Sequence, residues 1–169
     1  MSIKLVLAAA IAAATIIAPT VASAQEATFG QFTHVEADDD FDDSDRSFVY
    51  ADSTTNDGAS SLIWRCMEDG LNVLYHFAAY KGGDSDDEVL VRYRFDELEA
   101  TEREYWPLLQ GHKSAHIPMD EVASFTSVAR RSDGVVIEVL DPLDGEVQKD
   151  AFLLEGLGQA LATLDCAGI

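Results

Sequence analysis

From Ser47 onward the apolar residues of this chain recur at every second position, and that period of two constrains the fold more than any other feature of the sequence. Leu62, Trp64 and Cys66 alternate with Ile63, Arg65 and Met67. After Glu68-Asp69-Gly70, the series Leu71, Val73, Tyr75, Phe77 and Ala79 alternates with Asn72, Leu74, His76 and Ala78. Two such runs joined at an Asp-Gly turn predict a β-hairpin with one face turned inward. The polar loop KGGDSDDE then leads to Val89, Val91, Tyr93 and Phe95, alternating with Leu90, Arg92 and Arg94. This predicts a third strand, antiparallel to the second.

Residues 102–110 predict a further short strand ended near Pro107, because proline has no N–H to give to a ladder. Val135 to Leu140, the turn at Asp144-Gly145 and the run Val147 to Leu153 predict a second hairpin. Two segments switch to a helical period. In MDEVASFTSVARR, Asp120 is the expected N-cap, Met119, Val122, Phe125 and Ala129 share a face, and Arg130 and Arg131 fall at the negative end of the helix dipole. In GLGQALATLDC, Leu157, Leu161 and Leu164 share a face with Ala160 beside them. The fold class expected is therefore α+β, mainly antiparallel sheet and sandwich-like, with one short internal helix and a C-terminal helix.

The first residues, MSIKLVLAAAIAAATIIAPTVASAQ, carry one early positive charge, an apolar run and the small triplet Ala22-Ser23-Ala24. They read as a signal peptide over residues 1–24, cut between Ala24 and Gln25, which implies the periplasm or secretion. No later run is long and apolar enough to predict a membrane span. Without Lys4 the net charge moves from −20 to −21, a surface that repels nucleic acid and anionic lipid and favours a protein partner of basic character or none. Residues 25–47, with EADDDFDDSD at their centre, read as an acidic, disordered arm, and 48–169 as a single domain. Asp38, Asp40 and Asp42 are spaced as in an EF-hand, but Asp43 stands where glycine is needed and Val49 where glutamate is. Asp84, Asp86 and Glu88 fail in the same way, with Val89 and Phe95 at the required positions, so no metal site and no cofactor are expected.

Two cysteines in an exported chain are most simply one disulfide, Cys66 to Cys166, tying the last helix to the sheet. The alternative, a nucleophilic Cys66, needs a nearby base, and His76 is the only histidine of its hairpin, on the opposite face. His112 and His116 lack the general-base glutamate of a zinc helix, and Ser114 between them lacks a nucleophile elbow. A hydrolase using His112, Ser114 or His116 is the enzymatic alternative; the leading expectation is no enzyme. The constellation that points to binding is Arg65, His76, Arg92 and Arg94, predicted to share one outward sheet face of an acidic protein, where guanidinium groups suit an anionic ligand or partner. The competing expectation is that Asp96, Glu97 or the acidic arm neutralises them.

Taken in order, DSTTN, LIWRCMEDGLNVLYHF, VRYRFD, Trp106, the Ile-Pro before the internal helix, VVIEVLDPLDGEVQKDAF and LEGLGQALATLDC resemble the VasI/TagO family of small exported proteins associated with bacterial type VI secretion. The resemblance runs from about Asp52 to Cys166. It aligns Arg65 and Cys66 with the family's Arg-Cys pair, Arg94 and Asp96 with its Arg-x-Asp, and Gly156 and Cys166 with its closing helix and last cysteine. It implies a non-catalytic periplasmic accessory protein, with a secretion-system component as a possible partner. A periplasmic lysozyme inhibitor is a second expectation in the binding class, since an acidic protein suits a basic hydrolase.

Overall fold

Each long strand buries the face that its alternation marks as apolar. The computed structural model describes residues 26–39, 41–42 and 44–168; the expected signal peptide lies outside them. The strands are β1 (Glu26–Phe29), β2 (Phe32–Val35), β3 (Phe48–Asp52), β4 (Ser61–Met67), β5 (Gly70–His76), β6 (Glu88–Phe95), β7 (Glu104–Pro107), β8 (Ser114–His116), β9 (Gly134–Leu140) and β10 (Val147–Leu153). The helices are α1 (Val122–Ala129) and α2 (Leu157–Leu161), followed by a 3-10 turn at Asp165–Ala167. Among the described residues the strands form two antiparallel sheets, ordered β1-β2-β3-β4-β5-β8 and β10-β9-β6-β7. The fold class is the expected one.

One core joins both sheets and both helices. Phe125 of α1 packs its ring 6.1 Å from Trp64 of the first sheet and 5.0 Å from both Tyr93 and Phe95 of the second. Tyr75 meets Phe152 across the sheets at 5.9 Å in an edge-to-face arrangement, the geometry that aromatic quadrupoles favour. The Trp64 indole N–H, fully buried, donates to the Thr126 hydroxyl at 3.0 Å.

Three expectations change. Residues 26–35 are not part of a disordered arm: they form the β1–β2 hairpin, and Phe32 is fully buried with its ring 5.7 Å from Trp64. The acidic run beyond Val35 dominates the composition of the segment and masks the short apolar alternation before it. The third strand, β6, does not join β5; it crosses to the second sheet and pairs with β7 and β9, while β5 takes the short edge strand β8. A period of two marks a strand's faces but carries no information about its neighbour. Finally, α1 has Glu121 rather than Asp120 in the N-cap position, with no side-chain cap bond, and Met119 is 40% exposed outside the apolar face. Pro118 accounts for the shift, because its carbonyl accepts the Glu121 N–H in a turn that delays the helix.

The disulfide joins Cys66 of β4 to Cys166 of the last turn, with Cα atoms 5.7 Å apart. A second clamp uses two glycines with positive φ. At the tip of the first hairpin, Gly30 (φ +59) lies so close to Glu155 that an added Cβ would stand 2.4 Å from its carbonyl oxygen, and at Gly156 (φ +93) a Cβ would meet Phe29 O at 2.0 Å. The Gln31 N–H donates to Glu155 O across the same junction at 2.9 Å. Gly156→Ala is therefore expected to destabilise the protein by about 2–4 kcal/mol, from left-handed strain plus the forced separation of two backbones. Urea unfolding measures it; a loss under about 1 kcal/mol would show that the junction opens freely.

Candidate functional site

The outward face of the second sheet is built by register. Arg92 on β6 stands opposite Glu138 on β9, which stands opposite Lys149 on β10, and Arg103 reaches the same carboxylate from the start of β7. Arg92 Nε lies 2.8 Å from Glu138 Oε1 and Arg92 Nη2 3.1 Å from Oε2. Arg103 Nη2 lies 2.7 Å from Oε1, and Lys149 Nζ 3.2 Å from Oε2. The hydrogen bond from Arg92 is the largest influence on Glu138; with those from Arg103 and Lys149 it outweighs the cost of burial and holds the carboxyl at a pKa of about 2. Three cations thus share one anion. Arg94, two residues along the same face, makes no ion pair among the described residues. Arg92, Arg94, Val136, Glu138 and Lys149 line a shallow cavity of about 460 Å³.

Of the four residues expected to share a face, the structure brings together only Arg92 and Arg94. Arg65 and His76 point outward from the first sheet, because β6 left that sheet. Arg65 lies between Phe48 and Asn72 in the register, and its Nε is buried without a hydrogen-bond partner. His76 lies between Ser61 and Ser114. Neither Asp96 nor Glu97 neutralises the arginines: the Asp96 carboxylate accepts the N–H groups of Asp133 and Gly134, at 3.1 and 2.8 Å. The partner is Glu138, which the register of β9 sets opposite Arg92. Nor does Lys81 contribute a surface charge. It is fully buried, with its ammonium 3.2 Å from Glu146.

The residues of the hydrolase alternative do not meet. His112 stacks on Tyr80 at 5.3 Å, with Nδ1 3.0 Å from Lys81 O, and His116 Nδ1 lies 3.1 Å from Ile117 O. Ser114 is instead 3.0 Å from His76 Nδ1, and the carboxylate of that cross-strand row, Asp52, accepts from Ser61 at 2.7 Å. Among the described residues no group of three or more His, Cys, Asp or Glu is placed to hold a metal ion, and no helix is long and apolar enough to cross a membrane.

A second polar cluster, absent from the sequence reading, lies between the sheets. Asp150 of β10 is fully buried. Its carboxylate accepts the Tyr75 hydroxyl, the Gln148 amide at 2.7 Å, the Thr55 hydroxyl at 2.9 Å, the Asn56 amide at 2.6 Å and the Ser53 hydroxyl at 3.1 Å. The three last donors belong to DSTTN, whose turn holds Asn56 and Asp57 at positive φ. Burial raises the Asp150 pKa, but the hydrogen bonds outweigh it and leave the carboxyl below its usual range. Burial, then the bond to Asp150, raises the Tyr75 hydroxyl. The cluster keeps one charge buried and satisfied, and it links β5, β10 and the loop after β3.

No family model and no curated protein matches the chain. Its fold is similar to the crystal structure of invasion associated protein B from Bartonella henselae, with a TM-score of 0.55 over 82% of this chain and 94% of that one, at 13% identity. Such a likeness concerns the fold.

Proposed function

We propose that this chain is an exported, non-catalytic accessory protein that binds an acidic segment of a partner protein on the outward face of its second sheet. The observation that carries this reading is the excess of cations at one carboxylate: Arg92, Arg103 and Lys149 all pair with Glu138, and Arg94 lines the same cavity with no ion pair among the described residues, in a chain whose net charge is −20. Guanidinium groups bind carboxylates bidentately, and Glu138 holds three of the four cations in fixed positions. The overall negative charge opposes long polyanions at a distance, so a short acidic segment fits better than nucleic acid. The separation of His112, Ser114 and His116 supports a role without catalysis. Export is supported by the disulfide, which suits an oxidising compartment. A link to type VI secretion rests on the ordered motifs that resemble the VasI/TagO proteins, and the similarity in fold to an invasion-associated protein is compatible with an accessory role.

The test uses a short glutamate-rich peptide in isothermal titration. Arg94→Ala removes a cation with no ion pair of its own, so stability should stay within about 0.5 kcal/mol, while affinity for the peptide falls at least tenfold in the Arg92→Ala/Arg94→Ala double variant. Added salt should weaken the wild-type complex. Peptide affinity that ignores both arginines would reject the proposal.

A further inference from the structure

A cavity of about 690 Å³ forms a groove between α1 and the last turn. It faces neither the charged ladder nor the Asp150 cluster. Its apolar lining is Leu71 at the start of β5 with Met119, Val122 and Ala123 of the α1 segment, and Ala167 and Gly168 near the chain end line it as well. Arg130 and Arg131 stand at one end. A volume of this size lies within the roughly 300–1,000 Å³ range of small-molecule pockets. From Val122 to Arg130 the helical rise gives a length of about 12 Å, suited to a medium-length alkyl chain.

Two observations identify the kind of occupant. Arg130 and Arg131 are exposed, adjacent and without an ion pair among the described residues, although the chain carries 31 Asp and Glu. Arg131 Nη1 bonds only the Ser127 hydroxyl, at 2.9 Å, which turns its guanidinium back along α1 beside the groove. The favourable end of the helix dipole explains why arginines are tolerated there, but it does not explain an apolar groove leading away from them. Met119, 40% exposed, gives that groove an adaptable end.

We propose that this groove binds a small amphiphile, a carboxylate on an unbranched apolar chain, with the carboxylate on Arg130 and Arg131 and the chain along Val122, Ala123 and Met119. The wall has a reporter. Thr126 lines the groove and accepts the indole N–H of buried Trp64 at 3.0 Å, so an occupant that shifts Thr126 changes tryptophan emission.

The experiment titrates the oxidised protein with decanoate below its micelle concentration, reading calorimetry and tryptophan emission together. Decan-1-ol and acetate serve as tail-only and head-only probes. Saturable one-to-one binding of decanoate is expected, at least tenfold tighter than decan-1-ol and absent for acetate. Arg130→Ala/Arg131→Ala should weaken decanoate at least tenfold and bring it level with decan-1-ol. Ala123→Trp, which fills the groove and leaves both arginines in place, should abolish binding of both with unfolding unchanged. Decanoate that fails to saturate at millimolar concentration, or binds both variants as it binds the wild type, overturns the proposal. So does a leucine-ended peptide with a free carboxylate that binds tighter than decanoate, because the groove would then read a chain terminus.

Discussion

Cys66→Ala/Cys166→Ala is expected to lower the unfolding free energy by about 3–5 kcal/mol. The disulfide closes a loop of 100 residues, for which restriction of the unfolded chain is worth roughly 4.7 kcal/mol in the entropic account. The local consequence adds to the global one. Helix α2 has five residues, far too few to persist without tertiary packing, and its buried Leu157, Ala160 and Leu161 are held against the sheet partly because the chain is anchored at Cys166. Urea unfolding of the variant, and of the wild type with and without reductant, measures the loss. Hydrogen exchange should quicken first over residues 157–168. A loss below about 1 kcal/mol with unchanged exchange there would mean that Gly30, Gly156 and the apolar face of α2 hold the terminus without the bond.

The second large effect is expected at Asp150. Asp150→Ala leaves the Tyr75 hydroxyl, the Gln148 and Asn56 amides and the Ser53 and Thr55 hydroxyls without their shared acceptor. An unsatisfied buried donor costs about 1–3 kcal/mol. Ser53 and Thr55 keep other partners, and the exposed side of the loop can turn to water, so about 3–5 kcal/mol is expected in total. Tyr75→Phe, which removes one donor and leaves the carboxylate with four, should cost about 1–2 kcal/mol. A double-mutant cycle between the two sites should show coupling, since both remove the same bond.

The pH dependence of this contribution has a definite sign. The folded pKa of Asp150 lies below the unfolded value of about 3.9, so its contribution is present in full above that value and is lost as pH falls through the folded pKa. Glu138, folded pKa about 2, acts in the same direction. Asp150→Ala should therefore be less sensitive to acid than the wild type as pH falls below about 4. Equal sensitivity would show that the carboxylate is not selectively stabilised by its donors.

The two clusters differ in how far they were legible along the chain. The phase of VQKDAFL, set by Phe152, already puts Gln148 and Asp150 on the inward face, and two inward polar groups demand donors that DSTTN is rich in. That signal is present in the sequence, but the distance between Asn56 and Asp150 along the chain hides the pairing. Arg92 and Arg94 were legible as outward cations. Their meeting with Glu138 was not, because it depends on β6 lying beside β9.

Local periodicity by itself determined β4, β5 and β6 with their inward faces, the hairpin of β9 and β10, the helix around Phe125 and the apolar side of the last helix, but not the short edge strand β8. Residue count and the reading of an exported chain determined the cysteine pair. These follow from side-chain geometry and burial, which act within a few residues. Tertiary structure alone decided that β6 crosses to a second sheet, that residues 26–35 pair at the far edge of the first, and that Arg65 and His76 look away from Arg92 and Arg94. The reason is that alternation states which face of a strand is buried, whereas the choice of neighbour depends on packing the whole core around Trp64, Tyr75 and Phe125.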